Sequence, residues 1–304
     1  VIRLARALST LPILPLLGAA VLLPLAGLVA CGGADGPPVA RLRVEPRELT
    51  LAHGTYVEVM LQWQLTRALG DVSGEPRVFV HLLDDQGRLT RTFDHALPGE
   101  WSVGEERMDV TRVYQSVLAP PLPPGDYALT VGLYDSAGRR WPLDVEGESL
   151  AKSEYEIAKV VVPAGPSGAP ALGFSPTWSP TMAGADRQTL ALRWVTGDGA
   201  IQLDDIAGAG ELWLRLQIPP AGAQGEQRVF RREAGESAAP SVRLVSPCSG
   251  FEAFITGDGS HDVEVPVETG DGRCVIRLEP NYAMVSEGLE QRSVLLENVA
   301  WRAK

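Results

Sequence analysis

Short alternations of apolar and polar residues, cut every few positions by glycine, proline or Asp-Gly, run through this chain from about residue 39 onward. The clearest is Tyr56 to Leu65: Val57, Val59, Leu61, Trp63 and Leu65 share one parity, and Glu58, Gln62 and Gln64 share the other. Successive side chains of a strand point to opposite faces, so this stretch describes a sheet with one face on a core and one in water. Arg77 to Leu83 is apolar on both parities, with Val78, Val80 and Leu82 against Phe79 and Leu83, and reads as a central strand. Asp84-Asp85-Gln86-Gly87, Leu122-Pro123-Pro124-Gly125-Asp126 and Asp135-Ser136-Ala137-Gly138 supply turns between such runs. Long stretches with helical apolar spacing are missing, so the expected fold class is all-β.

The 304 residues exceed the usual size of one domain. Pro163-Ala164-Gly165-Pro166-Ser167-Gly168-Ala169-Pro170 reads as a linker stiffened by proline. Two consecutive antiparallel β-sandwiches, Ig-like or jelly-roll-like, are therefore expected: 39–162 and 172–304, joined by a Pro/Gly linker over 163–171. The second draws its strands from Leu190, Leu192 and Trp194; Leu212 to Ile218; Val263, Val265 and Val267; Ile276 and Leu278; and Val294 and Leu296. Thr-Gly-Asp-Gly occurs at Thr196, Thr256 and Thr269. The unequal intervals exclude a structural repeat, and Asp-Gly between alternating strands is a hairpin signal.

At the start, Arg3 and Arg6 precede an uncharged run over 7–30. A basic end followed by an apolar stretch is the layout of a secretory signal. Its length also permits a membrane-spanning helix, but Pro12, Pro15 and Pro24 interrupt one. The run ends in Leu28-Val29-Ala30-Cys31, which resembles the lipobox of bacterial lipoproteins. The resemblance implies a signal peptide over 1–30, a diacylglycerol on the Cys31 sulfur, an acylated new amino terminus and a flexible tether over 31–38. Several acyl chains anchor firmly where one does not. Gly32, rather than Asp, after the cysteine implies outer-membrane sorting in a cell that has an outer membrane.

Beyond the leader, 25 basic side chains face 38 acidic ones, a formal charge of −13. That excludes the basic footprint of a nucleic-acid binder and disfavours lying flat on anionic lipid. Phe79-Val80-His81-Leu82-Leu83-Asp84-Asp85-Gln86-Gly87, then Asp94-His95, Trp101 and Asp109, then Leu122 to Tyr127 and Gly132-Leu133-Tyr134-Asp135, form a further set. The set is similar to a β-sandwich module of bacterial envelope proteins, often found after the membrane part of protein-mannosyltransferase-like glycosyltransferases. The multispanning enzyme part is not in this sequence, so the resemblance implies a fold and a compartment but no glycosyl transfer.

The catalytic candidates each have a plainer reading. Asp84 and Asp85 are adjacent, so on a strand they face apart, and a turn suits them better than a glycosidase pair. Asp94, His95 and His81 invite a metal or acid–base set, yet none of the four histidines has ligand spacing. Asp258, His261 and Asp262 follow a turn but lack the regular oxygen spacing of calcium loops. No serine sits in a nucleophile elbow and no phosphate-binding glycine loop opens a helix. No catalytic residue, metal or cofactor is expected. Trp101, Trp141 and Trp178 lie near loops, where an exposed indole stacks on a sugar and a covered one plugs the end of a sandwich.

With Cys31 lipidated, Cys248 and Cys274 are left to pair in an oxidising compartment; the alternative is two buried free thiols. The expected role is an extracytoplasmic protein, lipid-anchored to a bacterial membrane, acting as a non-catalytic binding or assembly module for a glycan or an envelope protein. An envelope polysaccharide hydrolase and a structural spacer are the alternatives.

Overall fold

The computed structural model describes residues 36–304 except Asp71, 98–100, Lys152, 183–191, 223–226, 231–238, 269–270 and 286–290. The described residues form strands and connecting turns, with no helix among them. The strands build two stacked pairs of sheets, a mainly antiparallel all-β architecture of two sandwiches, and Gly32–Lys304 is one compact unit.

The first pair holds a sheet in the order Leu143–Val145, Ala40–Glu45, Tyr56–Leu65, Glu106–Tyr114. Facing it is a sheet in the order Ser149–Ala151, Glu154–Val162, Gly125–Tyr134, Arg77–Leu83, Leu89–Thr92, with the short strands Glu48–Thr50, His95–Ala96 and Arg140–Trp141 on its flanks. Two pairings are parallel, Ala40–Glu45 with Leu143–Val145 and Glu48–Thr50 with Glu154–Val162. Register fixes which residues go inside. Leu42 opposes Trp63 and Val44 opposes Leu61, all four buried, while Arg41 and Arg43 oppose Gln64 and Gln62 on the outer face. Arg77–Leu83 is paired on both edges, as its two-sided apolarity requires. Its outward Phe79 is still buried, because its ring crosses Gly132 of the neighbouring strand and lies 4.3 Å beneath the Arg140 guanidinium. A Cβ on Gly132 would fall 2.1 Å from that ring.

The second pair has one sheet in the order Ala171–Phe174, Gly199–Asp204, Cys274–Pro280, Ser241–Ser246, Phe251–Thr256. The other runs Arg193–Trp194, Leu295–Ala303, Gly210–Ile218, Gly259–Val267, and a small ribbon pairs Gln227–Phe230 with Tyr282–Val285. Leu212, Leu214, Leu216 and Ile218 point inward and are fully buried, as their alternation requires, with Val265, Val267, Ile276, Leu278, Val294 and Leu296. Leu190 lies outside the described residues.

The Thr-Gly-Asp-Gly segments do not close hairpins. The one at Thr196 leads from Arg193–Trp194 to Gly199–Asp204, and the one at Thr256 from Phe251–Thr256 to Gly259–Val267; each joins strands of different sheets. Thr269 and Gly270, which begin the third, are outside the described residues. An Asp-Gly turn reverses the chain equally well across the two layers of a sandwich, and Gly257 and Gly259 take the positive φ (89° and 111°) that the crossing needs.

Cys248 and Cys274 form a disulfide with their Cα atoms 5.8 Å apart. Extending the antiparallel register of Ser241–Ser246 against Cys274–Pro280 by three residues beyond Val245 and Arg277 sets Cys248 directly opposite Cys274. Cys274 is buried at the core and Cys248 half-buried in the turn that follows its strand.

Candidate functional site

The two sandwiches meet through faces that would otherwise be outer ones. Tyr56 and Tyr114 on the first oppose Trp213 and Ala300 on the second, and the four form a small apolar cluster of their own. Trp213 lies on the parity opposite to Leu212 and Leu214, yet it is 1% exposed, because Tyr56 and Tyr114 cover it with ring centroids 5.7 and 4.9 Å away. Around this cluster runs a charge network. Arg302 bonds Glu58 of the first sandwich and Glu211 of its own, both at 2.5 Å. Arg112 answers from the other side, bonded to Glu264, 3.7 Å from Asp262 and 3.4 Å from Glu58. Val117 N–H donates to Val299, Trp301 N–H donates to Gly54, and Leu118 packs within the second core.

Beside this contact the two bodies leave a cleft of about 360 Å³. Thr92, Phe93, Asp94, His95, Thr111 and Arg112 form its wall on the first sandwich. Arg215, Ser260, Asp262, Glu297 and Asn298 form the wall on the second, with Tyr114 and Trp213 between. Glu297 reaches the cleft through a β-bulge: Arg215 opposes Asn298 and Leu216 opposes Leu296, so Glu297 is the extra residue. Bulges re-aim side chains in this way.

The charges of the cleft are matched within the protein. Arg215 Nε lies 3.3 Å from Glu297 Oε2, to which Ser260 Oγ also donates at 3.1 Å. His95 Nε2 bonds Asp109 at 2.6 Å and its Nδ1 bonds the Phe93 carbonyl at 3.0 Å. The Phe93 carbonyl can only accept, so Nδ1 carries a proton, and Nε2 is held against the Asp109 carboxyl. Burial works to lower the His95 pKa, but the hydrogen bond and charge of Asp109 outweigh it and raise it. Asp94 lies 3.6 Å from His81 and accepts from Val80 N–H; burial pushes its carboxyl up, against the pull of His81. His81 bonds Glu154 on its other side at 3.3 Å. Burial also works to raise Glu154, but hydrogen bonds from His81 and Thr130, with Arg140 nearby, outweigh it and hold the carboxyl at about 2. Four buried side-chain polar atoms of the cleft wall have no hydrogen-bond partner among the described residues: Thr92 Oγ1, Thr111 Oγ1, Arg112 Nε and Trp213 Nε1.

The residues singled out from the sequence divide accordingly. Cys31 lies outside the described residues. Trp141 and Trp178 do not offer open faces for a ligand. Trp141 packs in the first core at 3% exposure beneath Arg139, and Trp178 is 6% exposed, with its Nε1–H donating to Ala200 and Phe174 edge-on. Trp101 is half-buried against Trp63, ring centroids 5.6 Å apart. Asp84 caps its own turn, accepting from Gln86 and Arg88 N–H groups and pairing with the Arg88 side chain. Asp258, His261 and Asp262 part company, to Arg228, the Gly257 carbonyl and Arg112. Among the described residues no three His, Cys, Asp or Glu side chains converge as a metal site. The sequence reading brought forward Asp94 and His95 but missed Thr111, Arg215, Ser260 and Glu297. A usable signal was Trp213, a large apolar residue on the polar parity of a good strand.

No protein-family profile matches the chain, and no curated protein matches it. Solved structures give distant matches. The CARDB domain of a Pyrococcus furiosus protein, in complex with di-metal ions, is 14% identical, with a TM-score of 0.23 over 41% of this chain and 88% of that one. A β-glucuronidase of Bacteroides uniformis is 11% identical, with a TM-score of 0.26, over 88% of this chain. The match takes in 30% of the length of that enzyme.

Proposed function

We propose that this chain is an extracytoplasmic protein, held at a bacterial membrane through acylated Cys31, that serves as a non-catalytic binding module of the cell envelope. The observation that carries the binding role is the cleft between two firmly joined sandwiches, whose ionisable groups are spent on one another rather than left poised for chemistry. The Cys248–Cys274 disulfide supports an oxidising compartment, and Leu28-Val29-Ala30-Cys31 supports the anchor.

Changing Cys31 to Ser tests the anchor: the protein moves from the membrane fraction to the soluble one or stays as an uncleaved precursor. An unmodified Cys31 in the mature protein, read by mass spectrometry, refutes it. Asp94, Asp262 and Glu297 keep the hydrolase alternative measurable. Turnover of envelope polysaccharide by the purified protein, abolished by Asp94→Asn or Glu297→Gln, would replace the binding reading.

A further inference from the structure

We infer that the cleft between the sandwiches binds a neutral, polyhydroxylated ligand, a sugar unit of an envelope glycan, with Ser260, Asp262 and the Thr92–Thr111 hydroxyls as its hydrogen-bonding set. This rests on the binding-module reading and names the ligand class for that site. Charge comes first. Every charged or titratable side chain of the wall already has an ionisable partner within 4 Å: Arg215 with Glu297, Arg112 with Asp262 and Glu264, His95 with Asp109, Asp94 with His81. An anionic or cationic ligand has to break one of these pairs and leave its partner uncompensated in a part-buried place, which costs more than the new pair returns. A neutral ligand leaves them standing.

The pairs nevertheless keep hydrogen-bonding capacity. A carboxylate has about four acceptor positions. Asp262 is 3.7 Å from one Arg112 nitrogen, which leaves acceptor positions on its carboxylate. Carboxylates held rigidly by arginines accept well from vicinal hydroxyls, which donate and accept at adjacent carbons. Thr111 gives the independent sign of a ligand. It is 3% exposed, lines the cleft, and its Oγ1 has no hydrogen-bond partner among the described residues; Thr92, half-buried beside the same space, also has its Oγ1 covered without such a partner. Buried hydroxyls are normally satisfied, and a ligand hydroxyl, directly or through one water, satisfies both. The volume of about 360 Å³ is at the small end of ligand pockets and suits one or two sugar rings. Trp213 is too covered to act as a stacking platform, so hydrogen bonding supplies the selectivity.

The test titrates the full-length protein in detergent, by calorimetry, with maltotetraose, cellotetraose and mannotetraose, and in parallel with tetragalacturonate and a chitosan tetramer. At least one neutral tetrasaccharide binds at a single site, with less than a twofold change in Kd between low and high salt. Ser260→Ala weakens it about three- to tenfold, and Val110→Trp, which fills the mouth from an exposed position, abolishes it at unchanged melting temperature. Binding confined to the charged oligosaccharides overturns the inference, as does neutral binding that Val110→Trp leaves intact. So does no binding by any of the five. In that last case, envelope cross-linking through Val110→Cys separates two failures: capture of a protein partner removes the sugar and keeps the binding module, and no capture removes both.

Discussion

Arg302→Ala tests whether the two sandwiches are one thermodynamic body. Arg302 is the side chain that ties Glu58 of the first sandwich to Glu211 of the second, with its guanidinium 5.1 Å above the Tyr56 ring. Each charge-assisted hydrogen bond contributes about 1.5–3 kcal/mol. The loss is cushioned, because Glu58 keeps Arg112 at 3.4 Å and Glu211 keeps Lys304 at 3.1 Å. Neither carboxylate is left alone, so the ion pairs account for about 2 kcal/mol in all, and the cation–π contact adds about 0.5–1 kcal/mol. A total of about 2–3 kcal/mol lowers the Tm of one large cooperative unit by about 4–5 °C. Differential scanning calorimetry reads both the shift and the number of transitions. A single peak that moves as a whole is expected, with a calorimetric enthalpy equal to the van't Hoff value. Two peaks in the unmodified protein, of which Arg302→Ala moves one, would refute the reasoning. A double-mutant cycle with Glu58→Gln then isolates the contact across the interface, and a coupling below about 0.5 kcal/mol contradicts it.

Two further outcomes follow from the same structure. Glu154 is held at about 2 against an ordinary 4.5, so its contribution is present above pH ~4.5 and is lost as pH falls toward 2; Glu154→Gln costs about 1.5–3 kcal/mol at pH 7, and the difference in urea midpoint vanishes near pH 2. The disulfide closes a separation of 26 residues, worth about 3.5 kcal/mol by chain entropy, so reduction lowers the urea-derived stability by that order, and an unchanged midpoint contradicts it.

The sequence made the strands of the cores legible because burial on one face leaves a period of two. Val59, Leu61, Trp63 and Leu65 are inward as their parity requires. Tyr56 breaks that parity and is buried anyway, because what covers it belongs to the other sandwich. The same strand pattern misleads at Glu106–Tyr114. There Met108 and Val110 are exposed, while Arg107, Asp109 and Thr111 stand opposite inward Trp63, Leu61 and Val59. This is an edge strand, and inward charge on an edge is satisfied by the adjoining sheet, here by His95 on Asp109, while it discourages pairing with another chain. Neither His95 nor Asp109 has a local spacing that reveals the other. The cleft was hidden for a related reason: its walls come from residues more than a hundred positions apart, brought together only when two outer faces meet.

That meeting joins binding to stability. The hydrogen-bonding groups of the cleft are split between the bodies, Thr92 and Thr111 on one, Ser260 and Asp262 on the other, and Arg112 spans the two through Glu58 and Glu264. A ligand that touches both walls binds the docked arrangement and not the separated one, so it stabilises the interface by about 2.7 kcal/mol at a hundredfold excess over its Kd. That is the size of the loss assigned to Arg302→Ala. A saturating neutral tetrasaccharide therefore restores most of the Tm that Arg302→Ala removes. By the same reasoning the docked population of one cooperative unit stays near unity below its Tm, so Arg302→Ala leaves the Kd unchanged, and a weaker Kd in the variant would mean that undocked molecules are populated although Arg302 does not line the cleft.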